Sequence, residues 1–289
     1  MKVNRSATKS AAPQARPQVH HRPRRQKPTS SWSLESVVVA RRREVSKMAE
    51  LKEHTESLAR LKDDSKGMIM LQNIVKSYPI GKRELKVLQG VNLQIDRGEM
   101  LAIMGPSGSG KSTLLNVVGL LDRPTSGSYQ LEGKEVSRLN SAELARVRGE
   151  KVGFIFQTFN LLPYLSALAN VELGQKYAGK ADALKAKEAL DKVGLADRMK
   201  HRPNEMSGGE QQRVAVARAL AKDPPIILAD EPTGNLDSST GKEIMAILSS
   251  LHDDRNITLI MITHDPNIAR YCQRIVYIQD GQIIREEKL

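Results

Sequence analysis

A chain of 289 residues with 39% hydrophobic content can bury one good-sized core with a small appendage, and no stretch approaches the ~18 consecutive apolar residues that a membrane-spanning helix needs. A single cysteine, Cys272, excludes an intrachain disulfide and a cysteine-rich zinc site; it fits a reducing compartment and the role of a small buried hydrophobe. The net charge of +12 is unevenly placed. Residues 1–67 hold 16 Lys and Arg against 7 Asp and Glu, a balance of +9, and residues 68–289 hold 29 against 26, so the basicity belongs to an N-terminal arm and nucleic acid is not expected as a partner.

Residues 1–31 carry Pro13, Pro17, Pro23 and Pro28, many Arg and Lys, and no acid, a composition expected to remain disordered. From Trp32 onward, Ser33 as a cap, Trp32 against Val37, and Val38, Val45, Met48, Leu51, Leu58 and Leu61 at helical spacing predict a helix over 33–62. Such an arm suits contact with anionic lipid, organelle targeting or a partner helix. The favoured reading is that it is dispensable, with translation starting at Met68 or Met70, because every chemistry-bearing pattern follows Met68.

From Met68 the pattern changes to strand-like runs at 70–75, 86–95 and 100–104, with Gly81, Gly90 and Gly98 between or beside them, which predicts an antiparallel sheet ahead of the core that follows. Tyr78 lies just beyond the first run, either as a platform for an adenine face or as an ordinary half-buried strand-end residue. The run at 100–104 leads into Gly105-Pro106-Ser107-Gly108-Ser109-Gly110-Lys111-Ser112-Thr113, followed by the apolar run 114–121. Strand, glycine-rich turn and helix start in that order make a phosphate cradle: the glycines let several N–H groups converge on one anion, and the helix start adds its positive dipole end. Lys111 then reaches the terminal phosphates, and the Ser112 hydroxyl ligates Mg²⁺.

After Pro124 and Gly127 as breakers, a short strand is expected at 129–132, and Asn140 with Glu143 forms a capping box for a helix that stops near Gly149. The buried run 152–156 delivers Gln157 at its carboxyl end, where ligands of open α/β sheets bind. Phe159, Leu161, Leu162, Pro163, Tyr164 and Leu165 then crowd into the stretch 158–173, either packing on the domain's own helices or forming a docking surface. Ala183, Ala186, Leu190 and Val193 give a helical stripe closed by Gly194, marking a small helical subdomain at about 158–206.

Met206-Ser207-Gly208-Gly209-Glu210 precedes a helix over 211–221, with Ser207 as cap; it is either a second anion site or an ordinary capped helix. The apolar run at 226–229 ends in Asp230 and Glu231, one acid to hold a hydrated Mg²⁺ and one to take a proton from attacking water. Gly234-Asn235-Leu236-Asp237 makes a tight turn, and the strand over 258–263 releases His264 toward a γ-phosphate or the water that attacks it. Runs at 275–278 and 282–285 around Asp280-Gly281 read as a closing hairpin.

In this order the motifs resemble the ATP-binding cassette (ABC) ATPases across residues 68–289. Tyr78 matches the A-loop, Gly105 to Thr113 the Walker A motif, Gln157 the Q-loop, Ser207 to Gln211 the signature, Asp230 and Glu231 the Walker B motif with its base, and His264 the switch. The resemblance implies an α/β fold: a RecA-like P-loop NTPase core with an antiparallel β subdomain and a small helical subdomain. It implies ATP and Mg²⁺, with the metal held by Ser112, Gln157 and Asp230, and catalysis by Glu231, His264, Gln157 and Lys111. It also implies a head-to-tail homodimer in which Tyr78, Gly105, Pro106, Ser107, Gly108, Ser109, Gly110, Lys111, Ser112 and Thr113 of one copy face Ser207, Gly208, Gly209 and Glu210 of the other. Asp237 joins the nucleotide-binding set.

Two departures stand in the signature: Met206 replaces the usual Leu, a mild apolar swap, and Glu210 replaces the usual Gln, a variant the family tolerates that puts a negative charge near a phosphate and would weaken closure. Phe156 to Pro163, Ala169 to Leu173 and Arg202-Pro203-Asn204-Glu205 look like the ATPases of the lipoprotein-release (LolD), macrolide-export (MacB) and FtsE type. Such ATPases work on the cytoplasmic face of the cell membrane with an FtsX-like or MacB-like permease, in export or lipoprotein extrusion. The alternative within the same type is control of cell-wall hydrolysis in cell division. Chromosome-type heads need a long coiled coil before the signature, ribosome-type factors carry two cassettes, and a soluble P-loop kinase has no use for Ser207-Gly208-Gly209.

Overall fold

A computed structural model describes residues 67–81, 83–179 and 181–289; the expected arm and its helix over 33–62 lie outside the described residues, which begin at Gly67. The elements in order are β1 (Gly67–Ile80), β2 (Arg83–Asp96), β3 (Met100–Met104), α1 (Lys111–Val118), β4 (Ser126–Leu131), β5 (Lys134–Glu135), α2 (Ser141–Lys151), β6 (Val152–Phe156), α3 (Ala167–Tyr177) and α4 (Ala183–Lys192). Then follow α5 (Gly208–Leu220), β7 (Ile226–Asp230), α6 (Ser238–Arg255), β8 (Thr258–Ile262), α7 (Pro266–Ala269), β9 (Arg274–Gln279) and β10 (Gln282–Lys288).

The core sheet has the order β10-β9-β3-β8-β7-β6, parallel from β9 through β6, with β10 antiparallel on β9. β3 and β8 are buried at every position, as their unbroken apolar sequences require of parallel strands covered on both faces. Alternation along each strand divides the interior into two layers. Met100, Ala102 and Met104 join Ile227, Ala229, Leu259 and Met261 in a core shared with α5 and α6. Leu101 and Ile103 join Ile226, Leu228, Ile260 and Ile262 in a second core, shared with α1 and the inner face of the antiparallel sheet β2-β1-β4-β5. The expected α/β architecture, with an antiparallel sheet beside a phosphate-loop core, is therefore present. Among the described residues no helix is long and apolar enough to cross a membrane.

Local differences from the sequence reading have physical causes. Helix α2 carries the expected Asn140–Glu143 capping box but runs past Gly149 to Lys151. A Cβ at Gly149 would lie 3.1 Å from the Tyr177 carbonyl oxygen, so this glycine permits close approach of α2 to the end of α3 and does not stop the helix. Glu132 ends no strand: with Gly133 it forms a left-handed pair, φ 50° and 73°, that turns β4 into β5. β1 and β2 are each 14 residues long, because register shifts along β1 let pairing continue from Gly67 to Ile80. The closing hairpin turns on Asp280 and Gly281, φ 48° and 74°.

The apolar stretch after Gln157 packs in part on the domain itself and in part stays exposed. Leu161 and Leu168 pack against the core, whereas Tyr164 is 67% exposed. Buried Asn170 holds the stretch from below, accepting from Leu162 N (2.8 Å) and donating to the carbonyls of Leu162, Leu165 and Ser166.

Candidate nucleotide site

The carboxyl ends of β3, β8, β7 and β6 are neighbours in the sheet, and each delivers a motif to the same edge. Beyond β3 the chain turns through Gly105, Gly108 and Gly110, φ 154°, 77° and 103°. A Cβ at Gly105 would sit 2.0 Å from the Ile278 carbonyl oxygen, so no larger residue fits there. Gly110 caps α1 without a side chain and the first turn of α1 holds no acid, so its leading N–H groups and dipole face outward uncompensated. Lys111 Nζ folds back onto the carbonyls of Gly105 (2.9 Å) and Pro106 (2.8 Å). The loop is buttressed from behind, where Gly281 N donates to Ser109 O at 3.0 Å.

A cavity of about 480 Å³ opens over this loop. Of the expected residues, Gly105, Ser107, Gly108, Gly110, Lys111, Ser112 and Thr113 line it on one side, and Gln157, Asp230, Glu231 and His264 on the other. Val87 and Ile262 also line it; apolar strand residues gave no sequence signal for that position. Pro106, Ser109, Tyr78, Ser207, Gly208, Gly209, Glu210 and Asp237 do not line it.

Burial and the adjacent Glu231 carboxylate hold the Asp230 carboxyl above its usual pKa, opposed by the Lys111 charge. Glu231 leaves the strand in a left-handed conformation, φ 46°, which turns its carboxylate to within 3.1 Å of His264 Nδ1. Gln157 Nε2 donates to Asn235 Oδ1 (3.2 Å), and Asn235 Nδ2 donates back to Gln157 O (2.9 Å). Gly234 makes room for this: a Cβ there would lie 2.9 Å from Gln157 Nε2 and 3.0 Å from Glu231 Oε2. Asn235, read only as part of a turn, thus ties the glutamine to the turn that follows Glu231.

The start of α5 is less open than its sequence suggested. Glu210 N donates to Ser207 Oγ (3.3 Å), and Glu210 Oε2 accepts from Ser207 N (2.8 Å), a capping box. Glu210 also lies 3.6 Å from Arg198 Nε. The Ser207 N–H foremost, with the Arg198 and Arg213 charges, holds its carboxyl below the usual carboxylate range, so the charge is engaged locally instead of standing free. Asp237 caps α6, accepting from the N–H groups and hydroxyls of Ser239 and Thr240, which hold it far below the usual range. A Cβ at Gly209 would meet Thr240 Cγ2 at 2.4 Å, but at Gly208 only ordinary contacts of 3.6 Å to Leu236 and 3.7 Å to Phe159 would arise. Nothing among the described residues requires glycine at position 208.

Two further groups escaped the sequence reading. Half-buried Arg218 on α5 donates to the carbonyls of Phe159 (2.8 Å) and Asn160, two residues held left-handed at φ 60° and 51° just after Gln157. The one available signal was a charge inside the otherwise apolar face Val214 to Leu220. Tyr78 donates its hydroxyl to Asp122 Oδ2 at 2.9 Å, beside a buried Lys76.

A nested phosphate loop, two carboxylates and a histidine on adjoining strand ends are what binding and cleaving a nucleoside triphosphate require, and they make this domain a P-loop NTPase. Residues 88–234 match the ABC transporter family, and the chain belongs to it as an ATP-hydrolysing cassette. It is 51% identical over 224 residues to the ABC transporter ATP-binding protein YvrO of Bacillus subtilis (strain 168), covering 76% of this chain and 97% of that one. It is 52% identical over 223 residues to the macrolide export ATP-binding/permease protein MacB of Bdellovibrio bacteriovorus, covering 77% of this chain but 34% of that longer protein. A solved dimer of the ATP-binding cassette MJ0796 in a post-hydrolysis state, bound to ADP and Pi, superimposes with a TM-score of 0.72 at 47% identity, over 77% of this chain and 99% of that one.

Proposed function

We propose that two copies pair head to tail, each ATP lying between residues 105–113 of one and 207–210 of the other, and that the resulting motion drives a membrane-embedded partner. The carrying observation is that two motifs stand at helix starts among the described residues, and the cavity over residues 105–113 is lined by the first while the second lies outside it. Gly208, unconstrained from within, then serves close approach from the second copy. MJ0796 is dimeric in its solved structure, and in MacB an ATP-binding segment and a permease share one chain.

The donors fit Mg²⁺. A hydroxyl, an amide and a carboxylate, Ser112, Gln157 and Asp230, line one cavity and are hard oxygen donors, few enough to leave places for phosphate oxygens and water, the habit of Mg²⁺. Ser112, Asp230 and Gln157 would hold it, and it would neutralise charge on the phosphates. Glu231 takes the proton from the attacking water, and His264, 3.1 Å away, steadies the carboxylate and the γ-phosphoryl charge. Lys111 exchanges its loop carbonyls for phosphate oxygens, and Tyr78 stacks on adenine. Residues 68–289 form the ATPase domain and 158–206 its helical subdomain, whose exposed Tyr164 marks the face that docks an FtsX-like or MacB-like permease at the inner face of the membrane.

Complementation tests the pairing. Lys111→Ala and Ser207→Arg should each be inactive alone, and mixing them should restore hydrolysis, because the mixed dimer keeps one intact composite site; a mixture as inactive as its parts contradicts the arrangement. Detergent extraction should recover a polytopic membrane protein with a large external domain. Recovery of ribosomes or nucleic acid instead overturns the coupling to a membrane.

A further inference from the structure

Lys76 is a cation with 9% exposure on β1, on the same face as Tyr78 two residues on. Its Nζ donates to Asp122 Oδ1 (2.6 Å) and to the Arg123 carbonyl (2.8 Å), and stands 4.8 Å from the centre of the Tyr78 ring. The second oxygen of the same carboxylate accepts the Tyr78 hydroxyl (2.9 Å). One carboxylate therefore holds both ends of a small frame: an ammonium against the ring and a hydrogen bond at its tip.

A tyrosine at a strand end ordinarily loses rotamer freedom when a ligand stacks on it, and that loss subtracts from affinity. Here the loss has been taken in folding. The ring is fixed at its hydroxyl, and the cation occupies part of its surroundings within the ~6 Å range of a cation–π contact. Half-exposed Tyr78 is left to receive a flat partner with its position already set.

We propose that Lys76 and Asp122 are positioning residues for adenine recognition: they preorganise Tyr78 as the base platform and contribute to affinity for the base, not for the phosphates. This rests on the reading of Tyr78 as that platform. Neither Lys76 nor Asp122 lines the phosphate cavity, so their effect should be confined to ligands that carry a base.

The test uses the full chain with two ligands, ATP and inorganic tripolyphosphate, the latter as a competitive inhibitor. Tyr78→Ala should raise the KM for ATP on the order of 10-fold, the scale of one base–aromatic stack. Lys76→Met and Asp122→Asn should raise it about 2- to 10-fold, the cost of ordering one side chain on binding. In both, kcat at saturating ATP and the tripolyphosphate inhibition constant should stay at parental values, and Lys76→Arg should restore most of the lost affinity. Should Lys76→Met fold poorly with Asp122 left unpaired, the double variant Lys76→Met with Asp122→Asn takes its place. Equal weakening of ATP and tripolyphosphate overturns the proposal, since the pair would then be supporting the phosphate loop. If Tyr78→Ala weakens ATP but the Lys76 and Asp122 variants do not, the platform stands and the positioning role falls; if Tyr78→Ala itself has no effect, both fall.

Discussion

Replacing Arg218 by Met removes the clamp between α5 and the stretch that follows Gln157. Two charge-assisted hydrogen bonds, to the Phe159 and Asn160 carbonyls, are lost, each contributing about 1.5–3 kcal/mol. Part of this is recovered, because burial holds the guanidinium below its ordinary pKa and a neutral side chain no longer carries that desolvation cost. The net loss should be about 1–3 kcal/mol. Phe159 and Asn160, left-handed at about 1 kcal/mol or more each, are also freed to relax. Urea unfolding should show a lower midpoint at unchanged slope, and hydrogen exchange should quicken over 158–165 while α6 and the core strands stay protected. Phe159 touches the space beside Gly208, so ATP-driven pairing should weaken as well. Arg218→Lys, a single point charge, should retain only part of each effect. An unchanged midpoint with unchanged exchange over 158–165 would refute the clamp.

Gly209→Ala should destabilise by about 1–3 kcal/mol through overpacking against Thr240 Cγ2, and adding Thr240→Ser, which removes that methyl but keeps the hydroxyl bonded to Asp237, should restore the melting temperature. Glu210→Gln should lower stability at neutral pH by about 0.3–1 kcal/mol, the scale of a charge at a helix start. Because the folded pKa of Glu210 is depressed, its contribution is present above the ordinary carboxylate pKa and is lost as pH falls through the folded value; the two proteins' unfolding curves should therefore converge in acid. Gly105→Ala, with φ 154° and a backbone carbonyl 2.0 Å from the new Cβ, should weaken nucleotide binding by about 10-fold or more in a fluorescent-ATP titration.

What the sequence disclosed was what lies contiguous along it. The apolar runs that become β3, β7 and β8 could be read directly, because strands buried on both faces tolerate little else. The phosphate loop and the acids at the end of β7 were visible for a related reason, each being one short segment whose residue types serve one task. Groups assembled from distant segments were not visible. Asp122 meets Lys76 from 46 positions away, Asn235 meets Gln157 from 78, and Arg218 meets Asn160 from 58. Glycines misled where their use was packing: Gly149 looked like a stop and is a point of helix contact. Glu210 looked like a free charge near phosphate, although its spacing from Ser207 is that of a capping box; the carboxylate is folded onto Ser207, and only the side-chain geometry shows it also near Arg198.

The central claim is that ATP binds between two copies and that Glu231 separates closure from hydrolysis. Glu231→Gln removes the base, which should slow hydrolysis by about 10²- to 10⁴-fold while leaving binding intact. Light scattering on a sizing column should therefore show this variant doubling from its 32.0 kDa chain mass when ATP and Mg²⁺ are added, and remaining single with ADP. A Glu231→Gln protein that binds ATP yet keeps the mass of one chain would contradict the account.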